Sequence, residues 1–415
     1  MTASAFDEDY FRHEYGRLVA MLSCRVGMKY VEDVEDAVQS ALMSALESWT
    51  IAGVPDNPTA WLFRAARNNL MGTLRTQGRR YRILQQNASD FGSYSSPEVI
   101  LPDDMQDDLL RMLFVCCHET IPLKSQLVFA LKTLCGFDVR EIAIRLFTSE
   151  ANVYKRLSRA RNRLQELPLR VDDLKKHEYL SRLPAVQKVL YLLFTEGYLS
   201  SDASEALRRD LCNEAIRLAS ILAGHPVGQS PETYALLAMM HLHLARIDAR
   251  ETGTGHLLLL EEQDRCRWNR DEIQQGMRWL AKSAEGESFS RYHAEAGIAA
   301  EHCLAPSFTE TRWEKIAECY SLLAQFTDSP IHKLNRAIAV AEWKGPAEGL
   351  AVLDGYAPPT WLSGSYMWTA VMADLHRRCG KLEAAQRFGE VALSSAPTPQ
   401  VKELLRRRLR LDKTD

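Results

Sequence analysis

The chain has 415 residues, enough by size for roughly two to four domains. With 46% hydrophobic and 25% charged residues it is an ordinary globular mixture, which excludes a low-complexity or fibrous chain. Its net charge is only -3, which excludes a polycation drawn to nucleic acid by bulk charge, so any such affinity must come from local clusters.

The nine cysteines, Cys24, Cys116, Cys117, Cys135, Cys212, Cys266, Cys303, Cys319 and Cys379, form no C-x-x-C pair. An odd number at irregular spacing points to a reducing compartment rather than a disulfide framework. The opening "MTASAFDEDYFRHEYG" is acidic where a signal peptide is basic and then apolar. No uninterrupted apolar run approaches the roughly 20 residues that span a bilayer. A soluble, cytoplasmic protein with no membrane association is expected.

Helical spacing dominates from the start. Phe11, Tyr15, Leu18, Val19, Leu22 and Val26 recur at three- and four-residue steps, as on one face of an amphipathic helix. "DVEDAVQSALMSALESW" repeats the pattern, with Asp33, Glu35 and Asp36 in its first turns, where carboxylates suit the positive end of the helix dipole. "AGVPDNPTA" interrupts the chain with Gly and two Pro. A new helix starts near Thr59 and runs through "WLFRAARNNLMGTLRTQGRR".

From Arg64 to Arg82 there are six arginines and no acidic residue. A helix that only supports structure usually interleaves Glu with Arg, so the omission fits a surface facing a polyanionic backbone. Trp49, Trp61 and Phe63 lie nearby, and aromatics beside a basic face suit unstacked single-stranded bases. Trp61, at a helix start, also suits a core anchor.

"LQQNASDFGSYSSPEVILPDD" is rich in Ser, Asn, Asp, Gly and Pro, and residues 85–106 read as a linker. Beyond it, Val139, Ile142 and Ala143 mark a short helix, followed by a turn at Phe147 and Thr148. Ser149 or Thr148 then caps a second helix. In that helix Val153, Leu157, Ala160 and Leu164 share an apolar face, while Asn152, Lys155, Arg156, Arg159 and Arg163 project elsewhere. Taken alone, a basic helix is more often a solvated surface. The preceding short helix, the capped turn and the lack of pairing carboxylates between Ala151 and Gln165 favour a helix-turn-helix instead. The early side chains of its second helix would meet base edges and the later arginines phosphates.

A further boundary falls in residues 165–185, where Pro168 interrupts the basic helix. Long helices rich in Ala and Leu follow. "ADLHRRCGKLEAAQRFGEVALSSAP" places Gly380, Ala384 and Ala392 with Phe388 and a closing Pro397 at tetratricopeptide-like positions, where two helices approach closely. "NRAIAVAEWKGPAEGLAVLD" is a looser version, with Gly345 at the turn and Gly349 and Leu350 at the close contact. An all-α fold is expected, with two small helical domains, a linker and a large helical C-terminal domain, tetratricopeptide-like towards its end.

This ordered set resembles a known family. "DVEDAVQSALMSALESW" and "NPTAWLFRAARNNLMGTLRTQGRR" resemble the promoter-melting region 2 of extracytoplasmic-function (ECF) sigma factors. "VREIAIRLFTSEANVYKRLSRARNRL" resembles their region 4 helix-turn-helix. "DDLLRMLFVCCHETIP", "YLLFTEGY", "RRDLCNEAIRLA", "LEEQDRCRW", "AGIAAEHCLA" and "SPIHKLNRAIAVAE" resemble the subgroup with a long tetratricopeptide-like C-terminal extension. The implied layout is region 2 over 1–84, a linker over 85–106, region 4 over 107–170 and the extension over 171–415.

The resemblance implies that Asp33, Glu35, Asp36, Gln39 and Leu42 dock on the clamp of the large subunit of core RNA polymerase. It implies that residues 50–60 form a loop that captures a flipped promoter base, an extrusion costing a few kcal/mol. Trp61, Arg64, Asn68, Arg75, Arg79, Arg80 and Arg82 would face the melting strand. Ser149, Glu150, Asn152, Lys155, Arg156, Arg159 and Arg163 would read promoter duplex. Two positions depart from the pattern. Gly72 stands where many members have Asp, and "CCHETIP" lacks the subgroup's usual Pro after its His.

Other chemistry finds weaker support. Adjacent Cys116 and Cys117 diverge by about 100° on a helix, so "CCHE" reads as packed thiols rather than a metal site. His241 and His243 fall on opposite sides of a helix, and His293, Glu295, Glu301 and His302 lack di-iron spacing, so these histidines read as core or cap residues. Glu261, Glu262, Asp264, Arg265 and Arg267 beside Trp268 form either an interhelical ion-pair network, which we favour, or a ligand pocket. No metal, cofactor or enzymatic activity is expected. The expected function is that of a sigma factor, with an extension that regulates it through contact with the sigma domains. The alternative is a helix-turn-helix regulator with a helical-repeat sensor, acting without sigma activity.

Overall fold

The computed structural model describes residues 8–76, 102–146, 148–166, 176–198, 209–250 and 258–409. Among these residues every regular element is helical and there is no strand. The all-α expectation holds because the apolar residues recur at helical steps and nowhere alternate over strand lengths. Two compact units result, Met1–Glu196 with Gly224–Gly228, and Gly197–Ala223 with Gln229–Asp415.

The first unit begins with α1 (Glu8–Val26), α2 (Val31–Ala52) and α3 (Pro58–Thr76). Leu18, Val19 and Leu22 of α1 are buried with Val34, Val38, Ala41 and Ala45 of α2 and Leu62, Ala66 and Leu70 of α3. Asn57 caps α3, its side-chain oxygen accepting the Ala60 N–H at 3.0 Å. Of the expected linker, the residues from 102 onward already belong to α4 (Pro102–Cys116); the rest of it falls outside the described residues.

α5 (Leu123–Thr133), α6 (Val139–Arg145) and α7 (Glu150–Glu166) follow. A reciprocal cap starts α6: Asp138 N–H donates to Glu141 at 2.7 Å and Glu141 N–H donates to Asp138 at 2.6 Å. Ser149 caps α7 by accepting the Asn152 N–H at 3.3 Å. The α7 face of Val153, Leu157, Ala160 and Leu164 is buried, as its four- and three-residue spacing requires. The turn residue Phe147 lies outside the described residues.

α8 (Lys176–Tyr198) follows. It runs straight through Pro184, and its first part packs with the first unit, Tyr179 meeting Phe114 of α4 edge-on at 4.9 Å.

The two helical modules of the first unit close on each other. Gly16 in α1 is the point of nearest approach, where a Cβ would stand 1.9 Å from the Leu134 carbonyl oxygen just after α5. Only a residue without a side chain fits there. Around it, Arg12 donates to Glu141 at 3.1 Å and covers the Phe137 ring at 4.4 Å. Arg25 pairs with the buried Asp108 of α4 at 3.0 Å.

The second unit holds α9 (Arg209–Gly224), α10 (Pro231–Leu244), α11 (Arg270–Ser283) and α12 (Arg291–Leu304). α10 is buried on nearly all sides, the property of a central helix. The chain continues through α13 (Trp313–Leu323), α14 (Pro330–Lys344), α15 (Pro346–Leu353), the short α16 (Thr360–Ser363), α17 (Tyr366–Arg378), α18 (Leu382–Ser394) and α19 (Pro399–Leu409). α14 with α15 and α17 with α18 are helix hairpins turned by Gly345 and Gly380. At Gly349 a Cβ would lie 2.5 Å from that of Ala341, the close contact expected from its spacing.

Candidate polymerase and nucleic-acid interface

α2 divides its acidic residues between two faces, because a helix advances 100° per residue. Asp36 and Gln39 are exposed, and Asp33 and Leu42 are half-buried at the margin. The outward strip continues with two large apolar side chains, Met43 at 58% and Leu46 at 49% exposure. Neither was marked out by the sequence pattern, although both fall at helical spacing from Gln39. Exposed apolar groups beside carboxylates form a surface suited to a protein partner.

Glu35 requires a correction. It points inward at 4% exposure, where one oxygen accepts the Thr133 hydroxyl at 3.0 Å and the other pairs with Arg161 at 2.5 Å. Burial pushes its carboxyl up, against the opposing pull of Arg161 and Lys132. Held by contacts within the unit, it has no face to offer an outside partner.

The expected 50–60 loop is shorter than the sequence suggested. α2 continues to Ala52 and α3 begins at Pro58, leaving Gly53 to Asn57 as the connection. Trp61 is half-buried and meets the buried Trp49 edge-on at 5.6 Å, so its ring is partly a core anchor. Arg64, Asn68 and Arg75 are exposed along α3. Arg79, Arg80 and Arg82 lie outside the described residues.

On α7 the buried apolar face forces the remaining side chains outward. Ser149, Glu150, Asn152, Lys155, Arg159 and Arg163 are exposed or nearly so, and Arg156 is half-buried. Tyr154, 59% exposed, joins this outer face and was missed because no polar pattern marks it. Arg161 behaves otherwise: it turns to α2 and pairs with Glu32 at 2.7 Å as well as Glu35. Four residues after Leu157, it flanks the apolar face, and its partners on α2 were not legible from spacing.

The "CCHE" thiols are fully buried packing groups, and burial raises the pKa of both. Among the described residues no helix is long and apolar enough to cross a membrane.

Comparison with known proteins agrees with this geometry. Residues 11–80 match the family model for Sigma-70 region 2, and residues 111–164 match that for Sigma-70, region 4. The chain belongs to the sigma-70 family. It fits an ECF-like sigma factor with a C-terminal extension, since residues 182–284 match a family of unknown function, DUF6596. The sigma factor is 32% identical over 378 residues to an uncharacterized protein of Rhizobium meliloti (strain 1021), covering 90% of this chain and 89% of that one. No solved structure matches it. As a sigma-70 protein it interacts with RNA polymerase and promoter DNA.

Proposed function

We propose that this sigma factor docks on the clamp of the large polymerase subunit through the outer face of α2, using Asp33, Asp36, Gln39 and Leu42 together with Met43 and Leu46. Its α7 reads upstream promoter duplex through Ser149, Glu150, Asn152, Lys155, Arg156, Arg159 and Arg163. Trp61, Arg64, Asn68 and Arg75, with Arg79, Arg80 and Arg82, face the strand that opens. The chain supplies no covalent chemistry and acts in the cytoplasm. The extension, built from tetratricopeptide-like hairpins, regulates these steps by biasing the sigma domains between closed and polymerase-competent states.

The observation that carries this reading is the division of α2 and α7 into one face spent inside the unit and one facing solvent. The outward faces hold carboxylates beside apolar groups on α2 and cations on α7. The deciding experiment is co-elution of the full chain with sigma-free core polymerase, alongside an Asp33→Arg, Asp36→Arg double variant. Co-elution lost in the variant supports docking through α2. Permanganate-reactive promoter thymines that need both proteins separate this role from that of a regulator acting on duplex DNA without polymerase.

A further inference from the structure

The sigma-like functions leave unused a buried cation of the second unit, Arg246, and a half-buried one beside it, Arg265. Arg246 follows the C-terminus of α10 and is only 8% exposed. Its guanidinium lies 4.9 Å from the centre of the Trp268 ring. Arg265, in a short 3-10 turn before α11, lies 4.6 Å from the same ring. One indole thus has two guanidinium groups against it. The loop is held in place by the Asn269 N–H, which donates to the Ala245 carbonyl at 2.9 Å.

Arg265 has a partial structural explanation. Its Nη1 donates to the carbonyls of His302 and Ala305 at 2.6 and 2.7 Å, satisfying the end of α12. Its Nη2 is buried without a partner. Arg246 makes no side-chain hydrogen bond among the described residues, and its Nε is also buried without one. The Trp268 indole N–H and the His302 Nδ1 are in the same state. Neither arginine has a carboxylate within salt-bridge reach among the described residues. An arginine stays protonated in a protein, so it cannot escape this by losing its charge.

A buried and a half-buried like charge on one ring, each with a buried donor unused, are costly unless something negative joins them. The dipole ends of α10 and α12 offset part of that charge and supply no acceptor for Arg246. The structure therefore assigns an oxyanion site, which we propose to be formed by Arg246, Arg265, Trp268 and His302, for a small ligand carrying a phosphate or carboxylate group. Planar guanidinium groups suit both kinds of oxyanion.

A cavity of about 400 Å³ lies one side chain away from the site; it is lined by Leu260 and Trp313, with Glu261, Glu342 and Asp374 among its charged groups, and by none of the four site residues. Leu260 packs on the core cluster containing Trp268, and Trp313 meets His302 edge-on at 5.4 Å. The proposal does not depend on sigma activity, because every residue in it belongs to the second unit.

The test uses the full-length protein, freed of bound anions and melted in chloride at fixed ionic strength with increasing phosphate or acetate. A saturable rise of the melting temperature by roughly 5 °C or more at a hundredfold excess over Kd is expected for one of the two anions. The anion that gives the larger rise identifies the ligand group. In Arg246→Met the anion response disappears, while the melting temperature in chloride stays level or rises because an unpaired buried charge has gone. No response beyond chloride for either anion overturns the proposal. So does an Arg246→Met variant that responds like the parent. Should that variant not fold, calorimetric titration of the parent with phosphate and acetate decides, absence of saturable heat for both overturning the site.

Discussion

Arg161 of α7 pairs with Glu35 on the inner face of α2 at 2.5 Å, across 126 residues of sequence. The same guanidinium reaches Glu32 at 2.7 Å. One cation therefore joins the helix proposed to read DNA to the helix proposed to dock on polymerase. With Gly16 against Leu134 and Arg25 on Asp108, it defines a closed seam between regions 2 and 4.

Because Glu35 is buried, removing Arg161 alone leaves its carboxylate with the Thr133 hydroxyl and without a cation in contact. Arg161→Leu should cost about 3–5 kcal/mol in urea denaturation of the first unit. The double variant Glu35→Leu, Arg161→Leu should recover most of that loss, because no charge then remains inside. A single-variant loss below about 1 kcal/mol would show that the pair is solvated in solution.

Two glycines should respond to Ala in opposite directions. At Gly16 the new Cβ would strike backbone, which cannot rotate aside, so Gly16→Ala should destabilise by about 2 kcal/mol or more. Gly72 is exposed in mid-helix, and a Cβ there would have nothing within 4 Å. Gly72→Ala should therefore gain about 0.5–1 kcal/mol. Thermal melting of the two variants checks both signs, and a stabilised Gly16→Ala would rule out the seam.

Within the polymerase complex, α7 residues should separate by role. Asn152→Ala, near the start of the helix, should cost about 1–3 kcal/mol and relax preference at one base position. Arg159→Ala should weaken all sequences alike and lower the slope of log affinity against log salt by about 1. Binding of promoter variants over a salt series measures both, and unchanged affinity in both variants counts against the assignment of this face.

Acid should weaken the second unit through its buried histidines. Burial, then Arg246 and Arg250, lower His243 from 6.5 to about 3, and burial lowers His302 in the same direction. Between those values the unfolded chain holds a proton that the folded chain excludes, so stability falls as pH drops below 6.5. The slope is about 1.4 kcal/mol per pH unit for His243 alone, and His302 adds to it. Urea denaturation between about pH 7 and about pH 5 should show this fall, reduced in His243→Gln. A flat profile would mean that these rings are charged or solvated in the folded protein.

The periodicity of apolar residues determined the helices, and the caps at Asn57, Asp138 and Ser149 determined where several begin, because both are interactions between neighbours in sequence. Runs of arginine without carboxylates likewise located α3 and α7 as candidate DNA-facing elements. Tertiary structure alone decided how residues of one type divide. Glu35 turned from Asp36 according to which face met another helix, and Arg161 found its carboxylates on α2. The start of α4 within the expected linker and the packing of α8 on Phe114 were hidden for the same reason, since composition says nothing of which neighbour a helix packs on. Trp268 is the extreme case: its neighbour Arg265 was legible beside it in the sequence, but Arg246 reaches the same ring only because the fold brings the end of α10 there.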